Sequence, residues 1–432
     1  MPDPIEVRIE KLVYGGEGLA HHEGHTVFAP FVLPDENVSI EPVERRKKFI
    51  RGRVAQIRTP SADRAAAACP YFGVCGGCDY QHIPYELQLR YKAEILRETL
   101  SRLGRLHWEE PIEPHASPPF GYRNRVQWKI ASVEGGSPEI GYFQAGSQKL
   151  CAIRQCPIAS PRLNEALGAI VNLLQSGKLT ASVREIEVFA DQDDARLLLN
   201  VALDAANGAA AETAELLRSA LPSVDTLLTQ DRHTDRFELS GPGHINYRVG
   251  DHNYRIAHLS FFQVNRFVLD DLVRSVIGER RGKLALDLFA GVGLFSVPLA
   301  NRFERLIAVE SNIAAVRDLE ANLQASGAAS PNWRHTTVEA FLEHWHEGRP
   351  DLVVLDPPRT GVAARALARL IKIAPQEIVY LSCDPATLAR DLAVLAGETQ
   401  SPRGYRITEL HLVDIFPQTY HIEALVRLSR RA

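Results

Sequence analysis

Apolar and polar positions alternate with a period of two over residues 5–10, 26–32, 37–43 and 49–57, the pattern of half-buried strands. Gly15, Gly16 and Gly18 interrupt the first two runs and mark a tight turn or bulge. Residues 1–58 therefore predict a small β-barrel. Residues 59–83 are rich in cysteine and glycine and irregular, whereas residues 84–103 carry apolar positions at helical spacing. From 120 to 258, strand-like runs (125–131, 185–190, 196–203, 253–257) mix with helical ones (163–175, 211–220), predicting an α+β central domain over 59–258. From residue 259 to 432 strand–helix units repeat. Strands end near Asp287, Glu310, Thr337, Asp356 and Cys383, at intervals of 23, 27, 19 and 27 residues, each about one βα unit. Residues 406–414 and 421–428 predict a final antiparallel pair. The expected fold class is α/β in three parts. Ligands of open α/β sheets bind outside the carboxyl ends of the strands, which gathers the five strand-end residues around one crevice.

The chain has 432 residues, 45% of them hydrophobic and 24% charged, as in globular proteins with large cores. Residues 1–10 carry no signal-peptide core, and the most apolar stretch, 284–300, contains Asp287 and two glycines. A cytoplasmic protein with no membrane partner is expected. Six cysteines do not make a disulfide scaffold. A net charge of −4 gives no global attraction to nucleic acid. Residues 44–58, however, set Arg45, Arg46, Lys47, Lys48, Arg51, Arg53 and Arg58 against Glu44 alone. Such a cluster can neutralise phosphates, although a charge run by itself reads as a solvated strand edge. Arg123, Arg125 and Lys129, interleaved with Tyr122 and Trp128, suit either backbone tracking with base stacking or a half-exposed strand.

The first βα unit reads Leu284-Ala-Leu-Asp287-Leu-Phe289-Ala-Gly291-Val-Gly293, a strand running into a glycine turn. A dinucleotide site calls for a third glycine where Ser296 stands. Its absence favours S-adenosylmethionine (SAM), which has no pyrophosphate to cradle. Glu310 ends the next strand, 19 residues after Gly291, where an acid can accept hydrogen bonds from ribose hydroxyls.

Cys383 follows an apolar strand and precedes a helix that Asp384 can cap and Pro385 can start. The helix N-terminus favours a thiolate and the Asp384 charge opposes it. A lone cysteine after a strand reads as a small buried residue; its place at the crevice argues for more. Asp356-Pro-Pro-Arg359 is similar to the (D/N)PP(Y/F) loop of amino-group methyltransferases, but Arg359 replaces the aromatic residue, which disfavours an amine substrate. Alternation puts Ile422, Ala424, Val426 and Leu428 on one buried face, so Glu423 and His421 share the other. By itself Glu423 reads there as an exposed strand charge. Cys69, Cys75 and Cys78, with Cys156, offer four thiolates to zinc or an iron–sulfur cluster, and spacing does not decide between the two. Cys151 is left over as a packing cysteine.

The motifs Phe261-Phe-Gln263-Val-Asn265, DLFAGVG, DPPRTG, LSCDP and FPQTYHIE occur in this order, and with them the chain resembles the RNA uracil-5 methyltransferases from end to end. Residues 1–58 resemble the TRAM domain, an OB-like RNA-binding module. The resemblance implies a Rossmann-like class I methyltransferase domain with SAM contacts at Gln263, Phe289, Glu310 and Asp356. It also implies Cys383 as the nucleophile that adds to carbon 6 of uracil and Glu423 as the acceptor of the carbon 5 proton. Leu294 departs from relatives that carry asparagine there. The likeness is closest to the branch that has a TRAM domain and a 4Fe–4S cluster and acts on 23S rRNA. Cys69, Cys75, Cys78 and Cys156 are then cluster ligands, and the expected partner is 23S rRNA, with transfer RNA as the alternative. DNA is not an expected partner, because Ser382 stands where DNA cytosine-5 enzymes have proline before their cysteine. A non-catalytic RNA-binding assembly factor is a further reading, opposed by the intact Cys383 and Glu423 motifs. A monomer is expected.

Overall fold

The computed structural model describes residues 3–180, 182–204, 209–328, 332–397 and 404–431. The N-terminal alternation forms a curled six-stranded sheet in the order Ile5–Arg8, Asn37–Arg45, Phe49–Thr59, His25–Pro30, Glu17–His22, Lys11–Leu12. Its inner face buries Val7, Ile9, Val27, Val38, Ile40 and Ile50. The last two strands are missing from the period-two reading. Glu17–His22 reads Glu-Gly-Leu-Ala-His-His and contains none of the β-branched residues that mark strands. A Cβ at Gly18 would come within 2.3 Å of Val32 Cγ2, so the curl closes over a glycine.

The central sheet has seven strands in the order Leu150–Ala152, Glu139–Phe143, Arg125–Ala131, Val183–Ala190, Leu197–Leu203, Val224–Asp231, Arg236–Ser240. The helices Pro161–Gln175 and Ala209–Ala220 share its core. Tyr122 and Trp128 are fully buried, so neither can stack on an RNA base. Arg125 pairs with Glu187 at 2.7 Å and Lys129 with Glu185, which makes this basic stretch part of a half-exposed strand rather than a phosphate track.

The C-terminal sheet has eight strands in the order Trp333–His335, Phe303–Glu310, Gly282–Leu288, Leu352–Leu355, Glu377–Ser382, Glu423–Arg430, Tyr405–Val413, Glu113–His115. The first five run parallel, and Glu423–Arg430 runs antiparallel to both of its neighbours. This is an open α/β sheet whose parallel half is closed by an antiparallel C-terminal hairpin. Earlier segments complete it. The hairpin His244–Val249/His252–Ala257 buries Tyr247, Tyr254 and Ile256 in its core. Glu113–His115 adds the edge strand, and the Tyr85–Gly104 helix lays Ile95, Leu96 and Leu100 into the core on the sheet's other face. That helix approaches Pro385–Ala396 closely enough that a Cβ at Gly104 would stand 2.8 Å from the Ala389 carbonyl oxygen.

Two polar residues occupy the buried stripe of Tyr85–Gly104. Gln88 and Lys92 precede Leu96 and Leu100 at four-residue steps, and both are fully buried. Lys92 pairs with Asp414 at 2.7 Å, with the two side chains 0% and 1% exposed, and also donates to the Phe416 carbonyl at 2.9 Å. Removing one member of a buried ion pair strands the other charge. Lys92→Met should therefore lower stability to urea by about 3–5 kcal/mol, and adding Asp414→Leu should recover most of the loss. A single variant as stable as the parent would contradict a buried pair.

Candidate active site

The carboxyl ends of four adjacent parallel strands build the crevice. After Gly282–Leu288 the chain turns through Phe289, Gly291 and Gly293 at φ of +68°, +55° and +93°. At Gly293 a Cβ would also meet Leu319 Cδ1 at 2.8 Å, so both backbone and packing require glycine. The helix that follows is short, Ser296–Ala300. The Glu310 carboxylate accepts hydrogen bonds from the Gly291 amide at 2.8 Å and from the Ser311 and Asn312 amides at 2.7 Å each. It staples the glycine turn to the second strand with three of its roughly four lone-pair sites.

Asp287 is fully buried. One carboxyl oxygen accepts from the Ser296 hydroxyl, and Oδ1 has no partner among the described residues. Burial pushes this carboxyl up to about 7. Asp356, just past Leu352–Leu355, is also pushed up to about 7, by burial and then by the Asp287 charge. Gln263 is 8% exposed. Its segment is held firmly, because the Asn265 amide donates to Ser117 Oγ at 2.9 Å and to the Ile415 carbonyl at 3.0 Å. An unpaired buried carboxyl oxygen and a staple acid with one site left are acceptors suited to a polar nucleoside such as SAM.

Cys383 follows Glu377–Ser382. Asp384 caps the next helix, as expected, accepting from the Ala386 and Thr387 amides at 3.0 and 2.8 Å. Cys383 is half-buried. Burial, then the charges of Glu423 and Asp356, push its thiol up to about 12, with Arg359 acting in the opposite sense. The helix end is outweighed, and the resting group is a thiol. Glu423 corrects the alternation argument: its strand lies between two others, both faces are covered, and Glu423 is 4% exposed. The registers Ser382↔Ala424 and Val413↔Glu423 bring it to the strand end beside Cys383. Burial, then Asp356, hold its carboxyl well above the usual carboxylate range. Arg359 Nη2 lies 3.3 Å from His421 Nδ1, and burial, then this cation, push His421 down to about 4. The unprotonated Nδ1 accepts from Arg359.

The chain matches the family model described as tRNA (Uracil-5-)-methyltransferase over residues 84–350 and 342–431. It belongs to that family. An RNA methyltransferase of Aquifex aeolicus is 33% identical over 99% of this chain and 98% of its own. The 23S rRNA (uracil(1939)-C(5))-methyltransferase RlmD of Alkalilimnicola ehrlichii is 32% identical over 100% and 97%. The Pyrococcus abyssi tRNA (uracil-54, C5)-methyltransferase, solved with S-adenosyl-L-homocysteine, superposes with a TM-score of 0.76 at 26% identity, covering 98% of this chain and all of that one. The protein is a SAM-dependent methyltransferase that acts on RNA.

In this uracil-5 methyltransferase, Cys69, Cys75, Cys78 and Cys156 line one cavity of about 130 Å³ with Tyr71, Phe72 and Tyr142. None of the four is in a disulfide. Burial pushes each up, Cys75 to about 11. Four desolvated thiols become thiolates only beside a cation, which is the chemistry of a metal–sulfur site. They surround a space rather than a point: among the described residues no three His, Cys, Asp or Glu side chains are placed to hold a single ion. Cys151 is buried on Leu150–Ala152 and does not line the cavity. In the basic run, Arg46, Arg51, Arg53 and Arg58 are paired with Glu44, Glu17, Glu41 and Glu6. Arg45, Lys47 and Lys48, at the tip of the hairpin, have no acidic partner among the described residues. Lys92, Gln88 and Asp414 were missed by motif reading; two polar residues in register with a leucine stripe were the available signal.

Iodoacetamide alkylation of Cys383, followed by peptide mass mapping, should keep rising from pH 7 through pH 10 without a plateau. Arg359→Gln should slow it at pH 9, by about tenfold for each unit the thiol is raised further. A plateau below pH 8 would contradict the electrostatics of the crevice.

Proposed function

We propose that the protein transfers a methyl group from SAM to carbon 5 of a uridine in 23S rRNA through a covalent adduct between Cys383 and carbon 6. The observation that carries this reading is the placement of Cys383 and Glu423 at adjacent strand ends, in one crevice with Asp356 and Arg359. Carbon 5 of uracil is a poor nucleophile. Cys383 loses its proton to water as its sulfur adds to carbon 6, and the ring becomes an enolate whose carbon 5 attacks the methyl sulfonium of SAM. Glu423, after giving up its own proton to water, takes the proton from carbon 5; the carbon–sulfur bond breaks to restore the ring, and the departing thiolate regains a proton. The net products are 5-methyluridine, S-adenosylhomocysteine and one proton. Gln263, Phe289, Glu310 and Asp356 are assigned to SAM, in keeping with their places around the glycine turn.

Relatives named RlmD, 31–32% identical over nearly the whole chain, support ribosomal RNA. The likeness to the Pyrococcus abyssi enzyme makes transfer RNA the competing substrate. The curled N-terminal sheet is assigned as a TRAM-like RNA-binding module, with Arg45, Lys47 and Lys48 at its exposed tip. Cys69, Cys75, Cys78 and Cys156 are assigned to a 4Fe–4S cluster with a structural role.

Cys383→Ala should bind SAM but neither methylate RNA nor attach to it. Glu423→Gln should add, transfer the methyl group and stall as a covalent protein–RNA complex that survives denaturing electrophoresis. Attachment that persists in Cys383→Ala, or mass mapping to another cysteine, would sink the mechanism. Protein purified anaerobically should be brown with about four irons per chain. Stoichiometric zinc without iron would overturn the cluster assignment.

A further inference from the structure

The cysteine cavity and the loop that leads into Glu423 are joined by two short hydrogen-bonded paths. The first starts beside Cys78. The next two backbone amides, Asp79 and Tyr80, both donate to the Gln418 carbonyl, at 2.9 and 3.0 Å, and Asp79 Oδ2 accepts from the Tyr420 amide at 3.3 Å. Gln418 stands at φ +68°, a conformation that needs holding in a residue with a Cβ. The second path starts beside Cys156. The Pro157 and Ile158 carbonyls accept from the Gly121 and Arg123 amides at 2.9 Å each, and Arg123 lines the cavity. Between them sits the fully buried Tyr122, whose hydroxyl donates to the Pro417 carbonyl at 3.0 Å. The same stretch binds the Gln263 segment, through the Asn124 amide to the Val264 carbonyl at 2.9 Å.

We infer that the four-cysteine site positions the catalytic loop, with Asp79 and Tyr122 as the positioning residues, so that filling the site orders residues 416–423 around Cys383. The inference rests on the metal–sulfur reading proposed above and extends it from RNA-binding segments to the catalytic strand end. Without the cluster, four half-buried thiols leave the backbone on either side of Cys78 and Cys156 tied only by its own hydrogen bonds. With a metal–sulfur cluster bound, those two segments are clamped together, and the paths hold three neighbouring loop residues, Gln418 and Tyr420 from one side and Pro417 from the other.

Hydrogen exchange read by mass spectrometry tests this on the full chain, before and after anaerobic removal of the metal with a chelator, with loss followed by visible absorption and metal analysis. Peptides spanning 416–423 should exchange about tenfold faster after removal, while the core strand Leu352–Leu355 stays protected. Asp79→Ala and Tyr122→Phe, with the metal still bound, should each accelerate exchange in the same peptides, which keeps the test decisive if removal unfolds the whole protein. Unchanged exchange at 416–423 after verified loss, or full protection in both loaded variants, overturns the inference and leaves the metal–sulfur reading intact. Protein that carries neither iron nor zinc overturns both.

Discussion

A lysine from a helix early in the chain and an aspartate close to its end, neither in contact with water, set the position of everything that follows Val413. Lys92 neutralises Asp414 and holds the Phe416 carbonyl, while Gln88, one turn earlier, exchanges hydrogen bonds with Gln418 in both directions. A buried ion pair adds little net stability over well-packed apolar groups, but it has few alternative arrangements. Here it fixes where the last hairpin turns, and hence which residue stands at the end of Glu423–Arg430. The loop is then pinned from the Cys-rich segment, from Tyr122 and from Asn265, three parts of the chain remote in sequence.

That placement crowds acids. Asp287, Asp356, Glu423 and the Cys383 thiol share a desolvated crevice in which each disfavours the ionisation of the next, and Arg359 is the cation that offsets them. At rest such a site keeps few negative charges. The arrangement suits a reaction in which negative charge forms first on the sulfur, then on the uracil ring, and is cancelled when carbon 5 takes the methyl group from the sulfonium, since a protein group that stayed ionised throughout would oppose the first step. Arg359 also explains why the Asp-Pro-Pro stretch is not an amine site: the residue that replaces the aromatic ring is the crevice's counter-charge.

Much of this was legible in the sequence. Strand ends at Asp287, Glu310, Asp356 and Cys383 followed from the βα spacing, because parallel buried strands leave unmistakable apolar runs. The period-two argument failed at Glu423 for a reason that periodicity cannot detect. It presumes one wet face, and an antiparallel strand inserted between two others has none. The same blindness hid Glu17–His22, which lacks β-branched residues, and made Tyr122 and Trp128 look available for stacking when the sheet face beneath them is core. In the basic run 44–58, Arg51, Arg53 and Arg58 pair with glutamates on other strands of the sheet, a pairing set by the fold and invisible along the chain. Long-range polar contacts such as Lys92–Asp414 were equally out of reach, although an i, i+4 pair of polar residues inside a leucine stripe was there to be noticed.

The account holds that this chemistry is directed at a uridine of the large ribosomal RNA. The most direct measurement is to map 5-methyluridine in 23S rRNA and in transfer RNA from cells with and without the gene. The account predicts loss of 5-methyluridine from 23S rRNA alone, restored by the wild-type gene and not by one encoding Cys383→Ala. Intact 23S rRNA methylation with loss from transfer RNA, or no loss from either, would contradict it.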